Sequence, residues 1–194
     1  MRSDSRTEIL KASLDLLEEG GVEALSMREV ARRAGLSHQA PYHHFGDREA
    51  ILAELARDGF EKLKDYFLRS TKKPEDYKHR IERMGRTYVQ FALDHPEQFR
   101  LMFRAPVVDV EDHEDAKEAA ESAFDMLVAA VTADQPERRD QEIHAIIACW
   151  SVAHGLATLL LDGKIDHIFS MDAKSRAKMV DGVFELFAEK ISAR

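Results

Sequence analysis

Residues 34–46, Ala34-Gly-Leu-Ser-His-Gln-Ala-Pro-Tyr-His-His-Phe-Gly46, decide how this chain folds. Upstream of them, Ser26-Met-Arg-Glu29 is a Ser-x-x-Glu capping box that predicts a helix from about Met27. That helix places Val30, Ala31 and Ala34 on one face and stops at Gly35, where glycine tolerates the left-handed backbone that closes a helix. Leu36 returns to the core, and Ser37 or His38 is placed to cap a second helix. Pro41 lacks an amide hydrogen and is accepted only in a first turn, so this helix is expected from about His38 and ends at Phe45-Gly46. Helix, short glycine turn and second helix together predict a helix-turn-helix.

The second helix carries groups suited to DNA. Gln39 has the donor–acceptor pair that matches adenine in the major groove, and Tyr42, His43 and His44 can reach phosphate oxygens. Ala40 and the methylene face of Pro41 would allow close approach to a thymine methyl. Arg48, at the start of the next helix, adds a cation beside a helix amino terminus, an arrangement that clamps phosphate. With Ser26, Arg28, Ser37 and His38 these residues form the expected DNA-contact set.

Ser26, the Val30-Ala31…Ala34-Gly35-Leu36-Ser37 turn, and Tyr42-x-His44-Phe45 followed by a basic residue resemble the tetracycline-repressor (TetR) family over roughly residues 5–52. Arg48 stands where that family more often has Lys, and Gly46-Asp47 replaces a Pro-Ser or Lys-Asn type of linker. A looser similarity runs over about residues 76–190. There Trp150-Ser-Val-Ala-His-Gly155 and His95-Pro…Phe99-Arg-Leu-Met-Phe103 resemble the WHG-type carboxy-terminal domain of such regulators. The resemblance implies a small-molecule pocket in the body of the molecule.

Composition agrees with a helical protein. The 194 residues are 44% hydrophobic and 33% charged, with only 9 Gly and 5 Pro to interrupt helices. A net charge of −8 argues against indiscriminate coating of nucleic acid. Between Ser26 and Gly46, however, Arg28, Arg32 and Arg33 face Glu29 alone, so a modestly positive tip is expected on an acidic body. The lone Cys149 excludes an internal disulfide and fits a reducing cytoplasm. The amino terminus reads as no signal peptide. The apolar run from Ala145 to Leu161 is interrupted by Ser151, His154 and Thr158 and reads as a buried helix, so no membrane is expected.

The expected fold is all-α, with about nine helices: a three-helix head carrying the helix-turn-helix, and a larger helical body for effector binding and dimerisation. A first helix from Ser5 to Glu19 starts at the capping box Ser5-x-x-Glu8, and a fourth runs from Asp47 to about Arg69, weakened at Gly59 by ~1 kcal/mol relative to Ala. The head is taken as residues 1–48, linked through the helix at about 48–70, and the body as 74–194, with the break at Lys72-Lys73-Pro74. Further helices are expected at 74–93, from Pro96, at 113–133, 137–162 and 172–191, with surface loops at 107–115 and 163–171.

The helix expected at 137–162 is apolar nearly all round. Ile143, Ile147, Trp150, His154 and Leu161 fall on one side, and Ala145, Cys149, Val152, Leu156 and Leu159 on the other. Burying both sides calls for a partner subunit. The stripe Val180, Val183, Phe184, Phe187 and Ile191 of the last helix completes a four-helix bundle between two copies. The interface candidates are Cys149, Val152, Leu156, Leu159, Val180, Val183, Phe184 and Phe187. The pocket candidates are Met84, Tyr88, Phe91, Met102, Phe103, Phe124, Trp150 and His154, against the alternative that such residues are plain core.

Neither a metal site nor a cofactor is expected. His43 and His44 point about 100° apart on a helix, and Asp140 with His144 supplies only two ligands. Nothing near Cys149 would activate its thiol. The sequence thus points to a cytoplasmic, non-enzymatic regulator that binds double-stranded operator DNA as a homodimer and responds to a small, mostly apolar effector. The competing class is a helical carrier or enzyme with a vestigial head, and no catalytic triad, paired carboxylates or phosphate loop supports it.

Overall fold

The computed structural model describes residues 4–71, 76–103, 110–133 and 136–192. These form ten α-helices: α1 (Ser5–Gly20), α2 (Met27–Ala34), α3 (Ala40–Phe45), α4 (Arg48–Ser70), α5 (Tyr77–Asp94), α6 (Pro96–Met102), α7 (Glu114–Thr132), α8 (Ile143–Leu161), α9 (Lys164–Phe169) and α10 (Ala173–Ser192). No strand occurs among the described residues. The chain packs as two compact units, Met1–Lys62 with His95–Glu121, and Leu63–Asp94 with Ser122–Arg194. The division differs from the expected one, because α6 and the first turns of α7 pack with the head. The break expected at Lys72-Lys73-Pro74 lies outside the described residues.

The head closes around Ile9, Leu16, Leu17, Leu25, Val30, Ile51, Leu52 and Leu55, with Leu101 of α6 added to the same core. Its helix ends follow the local chemistry closely. Ser26 Oγ accepts from the Glu29 amide at 3.2 Å, and Gly35 takes the left-handed conformation, φ 68° and ψ 27°. The α1 cap is displaced by one residue from the expected box, because the Asp4 carboxylate accepts from the Arg6 amide and Ser5 is already helical.

Helix α6 lies against α4 through contacts that hydropathy does not reveal. Gln98 is 1% exposed, and its Nε2 donates to Leu55 O at 2.8 Å and to Asp58 Oδ2 at 3.0 Å. A Cβ on Gly59 would come within 2.6 Å of Met102 Sδ. The glycine that weakens α4 in isolation is thus where α6 makes its close approach.

In the second unit, Ile81 of α5 joins Val128 and Val131 of α7, Ala145, Ile146 and Cys149 of α8, and Ala188 and Ile191 of α10 in one core. Gly85 sets the approach of α10 to α5, since a Cβ there would stand 2.1 Å from the ring of Phe184, itself 1% exposed. Two sequence expectations change here. Helix α8 starts at Ile143, several residues later than expected, after a short 3-10 turn at Pro136–Arg138. The segment expected as a loop at 163–171 contains α9, opened by Gly163 at φ 66° and closed by Ser170 at φ 49°, with Asp166 held by Arg176.

Candidate nucleic-acid interface

Helix α3 has six residues, too few to persist in water alone, so the head must hold it in place. Its grip on the head is Pro41, buried in the first turn, with Ala40 and Phe45 packed partly on the head core. This corrects the expectation that Pro41 offers a surface to thymine. The helix also starts two residues later than expected, at Ala40, with Gln39 as its cap residue and no side-chain capping bond. Ser37 and His38 therefore belong to the turn and cap nothing.

What remains outward is a coherent set. Ser26, Arg28, Ser37, His38, Gln39, Tyr42, His43 and His44 are exposed, Tyr42 at 52%, while Ala40 is half-buried. The rings of His43 and His44 meet edge to face at 5.5 Å. Ser26 also serves α2 as its cap, so its hydroxyl is committed to the Glu29 amide.

Arg48 is a correction. Its Nε donates to Leu25 O at 2.7 Å and its Nη2 to Val22 O at 2.6 Å. The guanidinium thus satisfies two carbonyls at the end of the 3-10 turn Val22–Ala24 instead of reaching outward as a phosphate clamp. The positive tip is also weaker than the count between Ser26 and Gly46 suggests. Arg32 Nε pairs with Glu29 Oε2 at 2.9 Å, and Arg33 makes a bidentate pair with Glu19, 2.6 and 2.7 Å. Those bonds hold both carboxyls below their ordinary range, so the pairs stay ionised at neutral pH. Arg28 is exposed and makes no ion pair among the described residues, whereas the exposed Arg32 is paired with Glu29.

In the second unit, four of the eight pocket candidates come together. The Tyr88 hydroxyl lies 2.9 Å from His154 Nδ1, and the rings of Trp150 and His154 are 6.2 Å apart. Phe124 meets Trp150 edge to face at 5.7 Å. Burial pushes the Tyr88 hydroxyl well above its ordinary value, against a smaller opposing pull from its hydrogen bond with Trp150. Burial likewise pushes His154 below its ordinary value. The indole is a donor only, so Tyr88 accepts from Trp150, and the direction of its bond with Nδ1 of the neutral His154 follows the imidazole tautomer. Such a group recognises a largely apolar molecule better than an ion.

The other four candidates do not join this cluster. Met84 and Phe91 are buried core of α5, Phe91 against Tyr66 at 5.5 Å. Met102 and Phe103 belong to the head unit, Met102 at Gly59 and Phe103 against Phe60 at 5.6 Å. Sequence spacing cannot separate these cases, because wall and core residues share one apolar periodicity. A cleft of about 420 Å³ between α5 and α10, lined by Arg86, Gln90, Leu93, Arg176, Val180 and Asp181 among others, has no signature in the sequence.

The interface candidates divide as well. Cys149, Leu156, Val180 and Phe184 are buried within the chain's own second unit and cannot face a partner from there. Val152, Val183 and Phe187 are half-buried, and Leu159 is exposed. The exposed apolar residues of α8 and α10 are Ile143, Ile147, Trp150, Leu159 and Leu186, the last at 61%. A Cβ at Gly155 or Gly182 would meet open space. The two sides of the α8 wheel are thus real, but the side expected at the interface is largely the core.

Residues 9–55 match the family described as bacterial regulatory proteins, tetR family, and residues 81–183 match the tetracyclin repressor-like C-terminal domain. The chain is 44% identical over 48 residues to the tetracycline repressor protein class A from transposon 1721 of Escherichia coli, covering 25% of this chain and 22% of that one. It is 34% identical over 62 residues to the HTH-type transcriptional repressor KstR2 of Rhodococcus jostii, covering 32% and 30%. The chain thus spans less than a third of the length of these curated relatives. Among solved structures it is similar to a protein with unknown function from Rhodococcus sp. RHA1, with TM-score 0.76 and 28% identity over 97% of this chain and 94% of that one. A tetR-family transcriptional regulator from Streptomyces coelicolor shares the fold at TM-score 0.72 and 20% identity, over 97% and 81%. With both parts matched, and the second covering more than half the chain, the protein belongs to the TetR family.

Proposed function

We propose that the protein is a ligand-responsive transcriptional repressor that binds a palindromic operator as a homodimer and is released by a small, mostly apolar effector. The observation that carries this reading is α3 itself: Gln39, Tyr42, His43 and His44 project outward while Pro41 anchors the helix in the head. Gln39 is suited to base edges, and Tyr42, His43 and Arg28 to phosphates. The repressors to which the head is similar support the same direction.

The dimer is supported by the exposed apolar residues of α8 and α10, with Gly155 and Gly182 leaving room for close helix approach. Two-fold symmetry would set two α3 helices on successive major grooves, about 34–36 Å apart. The effector reading is supported by Trp150 and Phe124 as apolar wall beside the neutral Tyr88–His154 pair. A ligand there shifts operator affinity only through its preference for one head separation over another. No enzymatic activity is proposed. The reading implies residence in the cytoplasm with the DNA, and α8, although long and apolar enough to cross a bilayer by length and composition, buries one face in the helical core.

The test is selection of bound duplexes from a random pool. A recovered inverted repeat with half-sites about one helical turn apart is the expected result. Recovery of no preferred sequence, with binding that only follows salt, would sink the repressor reading.

A further inference from the structure

Phe45 is the last residue of α3, and Arg6 of α1 stands over its ring, with the guanidinium carbon 5.0 Å from the centroid. That distance is within cation–π range. The same guanidinium donates through Nη2 to Glu54 Oε1 of α4. The second oxygen of Glu54 accepts from Arg57 Nε at 3.0 Å, and Arg57 Nη1 continues to Glu61 at 3.1 Å. Glu54 is the least exposed member, its side chain 17% exposed. Arg6, Phe45, Glu54 and Arg57 line a cleft of about 430 Å³ bounded also by His44, Ala50 and the 112–116 segment. All of it belongs to the head unit.

A helix this short has little orientation of its own. Pro41 grips its first turn, and the Gly46 turn that follows adds freedom at the other end, with φ 82°. The direction of α3 therefore depends on what holds Phe45. Phe45 rests partly on the head core, and Arg6 covers its ring with a charge that is itself fixed by a mostly buried carboxylate; a fixed planar cation constrains a ring better than apolar contact alone.

We propose that Arg6 and Glu54 are positioning residues for DNA reading: the Phe45–Arg6–Glu54 link sets the angle at which α3 leaves the head, and neither residue touches DNA. The inference rests on α3 being the reading helix. It requires that breaking the link weaken specific binding without removing a phosphate contact. It also requires that breaking it twice cost little more than breaking it once, because the two residues act as one unit.

The test uses the full chain and a duplex that the wild type selects from a random pool. A wild type that selects no duplex defeats the reading of α3, a result visible before any variant is made. Arg6→Met keeps an apolar stem on Phe45 and removes the cation, and Glu54→Gln keeps shape and removes the anion. Each is expected to lower operator affinity on the order of tenfold, with the double variant no weaker than about the weaker single. The slope of log affinity against log salt should match the wild type, whereas loss of a phosphate contact flattens it by about 0.9. Arg6→Lys, which keeps a cation beside the ring and the carboxylate, should recover at least half of the logarithmic loss. Should Arg6→Met fail to fold, Glu54→Gln and Arg6→Lys carry the test. Unchanged affinity in the singles, additive losses in the double, a flattened salt slope, or a lysine variant as weak as the methionine one each overturns the proposal.

Discussion

The Tyr88 hydroxyl and Nδ1 of His154 share a hydrogen bond of 2.9 Å that joins α5 to α8 inside the body of the molecule. Burial depresses His154 below its ordinary 6.5. The unfolded chain then binds more protons at this site than the folded one as pH falls below about 6.5, so the site's contribution to stability is lost on acidification until the folded histidine also protonates. A nuclear magnetic resonance titration should place the His154 midpoint below 6.5. A midpoint at or above that value would show that the fold does not disfavour the imidazolium, against the burial of the pair.

The two close-approach glycines should respond differently to alanine. At Gly85 the added carbon meets the Phe184 ring, which is enclosed and rigid, so Gly85→Ala should destabilise by about 1–3 kcal/mol despite better helix propensity. At Gly59 it meets the thioether of Met102, which can turn aside, and the propensity gain of ~1 kcal/mol offsets much of the clash. Urea unfolding of both variants should show Gly85→Ala as clearly the weaker.

Arg48 and Arg28 separate structural from DNA-facing cations. Arg48→Met removes the side-chain donor to Leu25 O and one of the two donors to Val22 O, and should cost about 1–3 kcal/mol of stability. Its salt slope in operator binding should be unchanged. Arg28→Ala should leave thermal stability within about 0.5 kcal/mol and flatten the salt slope by about one. Interchange of these two outcomes would reverse the assignment.

Tyr42 is half exposed and holds nothing in the core, so Tyr42→Ala should leave the melting temperature nearly unchanged. Specific operator affinity should drop at least about tenfold, with the oligomeric state intact. Wild-type affinity in this variant counts against α3 as the reading helix.

For the dimer, Leu186→Glu places a charge at the exposed large apolar position of α10 and should shift the particle in sedimentation toward the single-chain mass of 22.1 kDa, with loss of operator binding. Cys149→Ser, in the core, should lower stability without changing the assembled mass. A single-chain wild type at micromolar concentration defeats the dimer outright.

Local chemistry made much of this molecule legible from its residues. The Ser26 cap, the left-handed Gly35, the first-turn Pro41 and the Gly46 stop each follow from backbone geometry over three or four residues, and they define α2 and α3 without reference to the rest of the chain. The meeting of Trp150 with His154 also follows from one turn of helix. Other features depend on residues distant in sequence. Arg48 turns inward because Val22 and Leu25, more than twenty residues away, offer it carbonyls, and Arg33 is neutralised by Glu19 of α1. Periodicity marks α8 as apolar on two sides, but only the packing of Ile81, Val131 and Ala188 decides that the Cys149 side is core and the Ile147 side is surface. Gly59, Gly85 and Gln98 read as helix weakening or polarity until Met102, Phe184 and the Leu55 carbonyl stand against them. The sequence by itself determined the family, the helical class and the helix-turn-helix, because those rest on short-range backbone rules. Tertiary structure alone decided which cations pair within the chain, which apolar face of α8 stays exposed and what stands against Phe45, because each of these depends on neighbours that spacing along one helix does not specify.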